Sequence, residues 1–291
     1  MKKFILLLFI VNYLLLNISA QETKQSELLN YASQLRFYSN WNSNESQSKI
    51  INLNEVLNSF SANNSRDTLQ LIGLYENLAT NYSILGNNIL SAHYYSKLVQ
   101  IFPDDAGCRF DYAIELANNN LYQKAQNEIE TGLKLDSTES FYLRACGNIY
   151  FQQNKLKKAV YYYNKSISVS GPDDNFNYST ILKYVTNIFI DPANKKAEIK
   201  SASKDWPYPI IQYLNNDKSE KEIVEIIKSN PDPDKCRLDL CESLYYIGIY
   251  NLSIGKKELG FNMLKACVDL KVPAYIEDKM AKRILFKEIV L

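Results

Sequence analysis

A single histidine, His93, is the only imidazole in this 291-residue chain. No Cys or Asp lies near it at triad or metal-ligand spacing, so it reads as a structural or solvent-facing side chain. With only nine glycines, the chain offers no Gly-rich phosphate loop after a strand. It also has no His-Glu-x-x-His run and no paired-cysteine zinc pattern. No catalytic, metal or cofactor residues are therefore expected. Neither sign of charge dominates, since 33 Lys and Arg face 32 Asp and Glu. Nucleic-acid binders and proteins of anionic membranes usually carry a basic patch or stripe, so neither partner is expected. The five cysteines, Cys108, Cys146, Cys236, Cys241 and Cys267, are odd in number and scattered. A disulfide-stapled scaffold is shorter and denser in cysteine. Cys146 and Cys267 fall on apolar helical positions and read as small buried hydrophobes, while a bridge involving Cys236 or Cys241 stays open.

Long apolar runs are also scarce, and the one present opens the chain. Lys2-Lys3 precede Phe4 to Leu16, and Asn17-Ile-Ser-Ala20 follows. A basic start, a short apolar run and a small residue at the end predict a secretory signal peptide over 1–20. Asn12 interrupts a run already short for a span of about 20 residues, which favours cleavage over an uncleaved anchor. Cleavage after Ala20 would remove two lysines and move the formal charge from +1 to −1. No cysteine precedes Cys108, so no lipid attachment is expected at that boundary. The expectation is an exported product, periplasmic or secreted and of bacterial type, with no stable membrane insertion. Asn-x-Ser sequons at Asn44, Asn63, Asn81, Asn164, Asn177 and Asn251 read as accidents of an Asn-rich composition.

What the chain does have is a period. Segments beginning at Ile72, Ala106 and Ser140 superimpose at 34 residues. The first carries Tyr75, Leu78-Ala79, Tyr82, Gly86, Ser91, Tyr95 and Pro103. The second carries Tyr112-Ala113, Leu116, Asn120, Ala125 and Ile129. The third carries Leu143, Gly147, Tyr150, Asn154, Ala159 and Tyr163, closed by Pro172. Small residues at Ala79, Ala113 and Gly147, answered by Ser91, Ala125 and Ala159, let two helices approach closely. Bulky pairs such as Tyr82 with Tyr95 and Tyr150 with Tyr163 fill the remaining space. Gly86, Asn120 and Asn154 sit where a helix end commonly takes the left-handed conformation. The acidic pairs Asp104-Asp105 and Asp173-Asp174 suit the N-terminus of the following helix.

This pattern resembles the tetratricopeptide repeat (TPR). The resemblance implies an all-α fold, a TPR-type helix-turn-helix solenoid with divergent N- and C-terminal helical caps. Residues 21–71 read as a divergent N-terminal helical cap, a hairpin with one apolar face at Leu28, Leu29, Ala32 and Leu35 and another at Ile50, Ile51, Val56, Leu57 and Phe60. Residues 72–173 hold the three repeats and 174–240 divergent helical repeats. Residues 241–291 hold a TPR-like repeat (Leu244, Gly248, Gly255, Gly260, Leu264) and a capping helix over Ala274–Ile289.

Residues 140–291 carry a second resemblance. An aromatic-rich helix around Trp206, a helix around Ile223, Glu242-Ser-Leu-Tyr-Tyr-Ile-Gly248, Ile254-Gly255, Ala266 and Ala274-Tyr-Ile-Glu277 follow in order. This layout is similar to the C-terminal part of bacterial periplasmic TPR lipoproteins that act as adaptors between a cell-wall hydrolase and a processing protease. Those proteins carry a lipid on an N-terminal cysteine that this chain lacks. The resemblance implies an extracytoplasmic scaffold or adaptor binding a protein or extended peptide in its concave groove, an envelope protease or cell-wall hydrolase being the partner class. A structural or assembly subunit of an outer-membrane or cell-surface complex is the alternative.

In TPR folds the first helix of each pair lines the groove. That assigns partner binding to Phe110, Ile114, Phe141, Arg144, Asn148, Phe151 and Tyr245, because the core positions are already filled and clustered exposed apolar groups mark binding faces. Arg144 and Asn148, one turn apart, would hold a carboxylate and a backbone amide. A local pair between Arg144 and Glu139 is the alternative.

Overall fold

Ala79, Ala113, Ala125 and Ala159 have no exposed surface at all, and around these small residues the helices pair. The computed structural model describes residues 26–35, 43–59, 65–172, 174–273 and 275–286. The expected signal peptide, Phe60, Asn63, Asp173, Ala274 and Ile289 lie outside them. Fourteen α-helices run through the described residues, and among these there is no strand. They are α1 (Glu27–Leu35), α2 (Ser43–Ser59), α3 (Ser65–Ile84), α4 (Asn88–Ile101), α5 (Ala106–Asn118), α6 (Tyr122–Leu135) and α7 (Ser140–Gln152). Then follow α8 (Leu156–Val169), α9 (Asp174–Ile190), α10 (Tyr208–Leu214), α11 (Glu220–Lys228), α12 (Pro233–Ser253), α13 (Lys257–Asp269) and α14 (Ile276–Leu285). The protein is an all-α helical solenoid whose neighbouring helices pack in consecutive antiparallel pairs.

Local chemistry sets the boundaries. Asn87 caps α4 by accepting from the Leu90 N–H at 3.2 Å, and Asp105 caps α5 through the Cys108 N–H at 2.7 Å. Ser219 and Glu222 form a reciprocal capping box on α11, which satisfies two otherwise orphan N–H groups. Gly86, Asn120, Asn154 and Gly255 all have positive φ, between 54° and 85°, so the turn into each second helix uses the residues that tolerate it. The starts of α4, α6 and α8 at Asn88, Tyr122 and Leu156 repeat the 34-residue spacing, and α9 starts 34 residues after α7.

Within a pair, close approach is enforced by the smallest residues. A Cβ on Gly147 would lie 2.3 Å from the Tyr163 ring, and one on Gly260 would lie 2.8 Å from the Gly248 carbonyl oxygen. Two aromatic partners differ from the sequence reading. Tyr82 stacks on Tyr94 and Tyr150 on Tyr162, while the buried Tyr163 donates its hydroxyl to Asn148 Oδ1 at 2.9 Å.

After α9 only a short 3-10 helix, Pro192–Lys196, folds back on it before an irregular stretch begins. Asn177, fully buried, ties the irregular stretch down instead. Its Oδ1 accepts from Ser201 Oγ at 2.8 Å and its Nδ2 donates to the Ser203 carbonyl at 3.1 Å. Asn215 does the same from the end of α10, bonding both the N–H and the carbonyl of Ile199 at 2.9 Å. These side chains replace the backbone pairing that a helix would have given. The sequon residues Asn81, Asn177 and Asn251 are all buried.

The N-terminal elements depart from the expected end cap. Helices α1 and α2 were expected to form one hairpin, yet α2 packs on α3 while α1 packs on α11, α12 and α13. Leu28, Tyr31 and Ala32 join the core of the C-terminal half, and Ser26 Oγ donates to Glu220 at 2.6 Å. The apolar stripe of α1 finds a deeper seat there than a lone pairing with the polar α2 would give. Helix α14 buries Met280, Ala281 and Ile284 and packs on α12 and α13, as a cap should. Its other side reaches across the superhelix. Lys279 Nζ donates to Ser83 Oγ at 3.1 Å, and Arg283 Nη1 donates to the Ala117 carbonyl at 2.7 Å.

Candidate binding chamber

Because α14 bridges back to α3 and α5, the concave side holds a partly covered chamber of about 410 Å³. Helix α5 contributes Ile114, Glu115 and Asn118, and α7 contributes Phe141, Arg144, Asn148 and Gln152. These positions recur at spacings of three and four, the stripe one helical face presents. Tyr178 of α9 and Glu242 of α12 form the far wall. Tyr275, Glu277 and Lys279 come from the start of α14.

Four of the seven residues proposed from sequence line this chamber: Ile114, Phe141, Arg144 and Asn148. Phe141 is the exposed one, at 42%. The other three are corrections. Phe110 is buried, stacked on Tyr142 with ring centroids 4.4 Å apart and pressed against Gly132. Phe151 is buried and meets Phe189 of α9, the helix beyond its own pair. Both lie roughly a quarter turn from the lining stripe at 3.6 residues per turn, so they face the neighbouring pair instead of the concavity. Tyr245 is likewise buried, edge-on to Tyr246, with its hydroxyl making no hydrogen bond.

Arg144 occupies the centre of the wall. Its guanidinium lies 4.9 Å from the centroid of Tyr178 and 5.3 Å from that of Phe141, the stacking geometry that holds an Arg fork flat. Nη2 donates to Asn175 Oδ1 at 3.1 Å, while the buried Nε has no partner. It is not paired with Glu139, whose carboxylate accepts from the Phe141 N–H at the start of α7. Nearby, Gln152 Oε1 and Asn118 Oδ1 are also buried without a partner. Gln152 is only 3% exposed. One donor and two acceptors therefore face or flank the chamber unmatched, and each such group costs about 1–3 kcal/mol when left so.

The far wall holds a buried carboxyl pair. Glu242 Oε2 accepts from the Tyr178 hydroxyl at 2.7 Å and from Trp206 Nε1 at 2.5 Å. Glu277 Oε1 accepts from the Tyr246 hydroxyl at 2.7 Å. Burial, reinforced by the charge of Glu277, pushes Glu242 up to about 8. Burial raises Glu277 as well, against the pull of Tyr246 and Arg144. Lys279 is lowered by burial and partly held up by Glu115, 3.7 Å away. Two protonatable acids fixed by aromatic donors thus stand opposite one stacked arginine.

Sequence reasoning missed Glu115, Asn118, Gln152 and Tyr178, although spacing from Ile114 and Arg144 would have reached the first three. The roof residues Glu277 and Lys279 had no local signal. Among the described residues no helix is long and apolar enough to cross a membrane. No family model matches this chain.

Proposed function

We propose that this chain is an extracytoplasmic TPR-type scaffold that binds a short segment of a protein partner in its concave chamber. The observation that carries the reading is the combination at one place of an exposed Phe141 with unpartnered polar atoms on Arg144, Gln152 and Asn118. A peptide supplies both kinds of group they lack, a carbonyl or carboxylate for Arg144 Nε and amide N–H donors for the two side-chain oxygens. The chamber volume falls in the range of small-ligand pockets, about 300–1,000 Å³, which favours a chain end or a tight loop over a long extended strand. The similarity of residues 140–291 to periplasmic adaptors makes an envelope protease or a cell-wall hydrolase the partner class to test first.

The test is affinity capture from an envelope fraction with wild type and with Phe141→Ala/Arg144→Ala, both checked for native helicity. An enzyme captured by wild type and lost with the double variant supports the reading. Identical capture by both contradicts the chamber as the site.

A second reading, a structural subunit of a surface assembly, is favoured by a different observation. Ile51, Val56, Leu69 and Ile89 on the first helices, with Leu121 just before α6, are exposed at 44–72%. It predicts one stable stoichiometric complex that is indifferent to the double variant and sensitive to Ile89→Asp.

A further inference from the structure

Cys241 of α12 and Cys267 of α13 bring their sulfurs to 3.3 Å. Both are fully buried, and all five cysteines are thiols. The contact follows from how this helix pair is built. Gly248 and Gly260 let the two backbones approach until a Cβ on either would touch the other helix, and at that separation two short side chains facing each other must meet. None of the other three is described in such a contact. Cys236 Sγ faces the carbonyls of Ile227 and Asn230, Cys146 of α7 packs in the core with Phe110 and Ala113, and Cys108 sits at the start of α5.

We propose that Cys241 and Cys267 are an oxidation site, closing an intrachain disulfide when the chain folds in the presence of a disulfide oxidant. An S–S bond of about 2.05 Å differs from the observed sulfur separation by only about 1.3 Å, so the seated helix pair accommodates the bond once it is made. The chemistry is two successive exchanges. The thiolate of one cysteine attacks the oxidant disulfide and expels one half as a thiolate, leaving a mixed disulfide. The thiolate of the second cysteine then displaces the other half. Two protons leave the protein thiols, and two electrons reduce the oxidant to two thiols.

Geometry also fixes the timing. With no exposed surface on either cysteine, an oxidant has no access to the folded hairpin. The hydrogen bond with Cys267 and burial raise Cys241, and burial raises Cys267, so neither is a ready thiolate once folded. The bond therefore forms before α12 and α13 seat against each other. It closes a loop between residues 26 apart, restricting the unfolded chain. The helices it joins carry the α1 seat, support α14 and supply Glu242 to the chamber.

The experiment refolds denatured, reduced full-length protein with and without oxidised glutathione. Each sample is then unfolded, alkylated without reductant and weighed intact. The expected result is three alkylated cysteines after oxidative refolding and five after reducing refolding, the missing pair mapping to a Cys241–Cys267 cross-linked peptide. The melting temperature should differ between the two samples by about 6–12 °C. Cys241→Ala/Cys267→Ala, checked for native helicity, should carry three alkylated cysteines either way and lose that difference. Five alkylated cysteines after oxidative refolding, or a bridge mapped to Cys108, Cys146 or Cys236, would overturn the proposal.

Discussion

Arg283, in the last described helix, donates its Nη1 to the carbonyl oxygen of Ala117 at 2.7 Å across 166 residues of sequence. Its Nη2 reaches Asn120 Oδ1 and the Tyr122 hydroxyl, and its guanidinium lies over the Tyr122 ring. One side chain thus joins the last described helix to the turn between α5 and α6, and with Lys279 on Ser83 it holds α14 beside the chamber.

Arg283→Met should loosen that closure. The buried Ala117 carbonyl would lose a charged donor, a change worth about 1.5–3 kcal/mol. Urea unfolding should show this loss, and hydrogen exchange should quicken in α14 before the α5–α6 pair. Uniform exchange across the chain would place the closure outside α14.

Gly147→Ala tests the close helix approach. The added methyl meets the Tyr163 ring at 2.3 Å, and that ring is fully buried. Overpacking of this kind costs about 1–3 kcal/mol. Ala113→Leu, at the matching position of the preceding pair, should cost a similar amount. An unchanged melting temperature for both would contradict the register.

These positions were legible in sequence because they are local. Ala113, Gly147, Asn120 and Asn154 are each fixed by the next helix or turn within one 34-residue unit, so pattern and packing agree. Ile114, Phe141, Arg144 and Asn148 were legible for the same reason, as one face of consecutive first helices. Phe110 and Phe151 were misassigned because a repeat pattern marks the core within a pair and not the contacts beyond it. They also reach Tyr142 and Phe189 on the first helix of the next pair, a contact that the spacing of one repeat does not reveal. The seat of α1 on α11–α13 and the reach of Lys279 and Arg283 depend on the curvature of the whole stack. No short window encodes that.

A pH dependence follows from Glu242. Its folded value, about 8, exceeds that of a free carboxyl, near 4.3, so the folded state holds a proton the unfolded state has released between those values. Stability from this group is fully present below pH 4 and declines as pH rises toward 8, at up to about 1.4 kcal/mol per unit. Glu242→Gln, which keeps an acceptor for Tyr178 and Trp206 without titrating, should flatten that slope in denaturant melts across pH 5 to 8. An equal slope in the variant would assign it elsewhere.

The most direct test of the chamber is calorimetry with peptides selected from a random library on immobilised wild-type protein. Aromatic and Arg side chains dominate binding where contacts exclude water, and such losses reach at least about 2 kcal/mol. The selected peptides should therefore bind Phe141→Ala/Arg144→Ala roughly 30-fold more weakly than wild type, with native helicity retained. Equal affinity for the two proteins would contradict the account and move the binding surface out of the chamber.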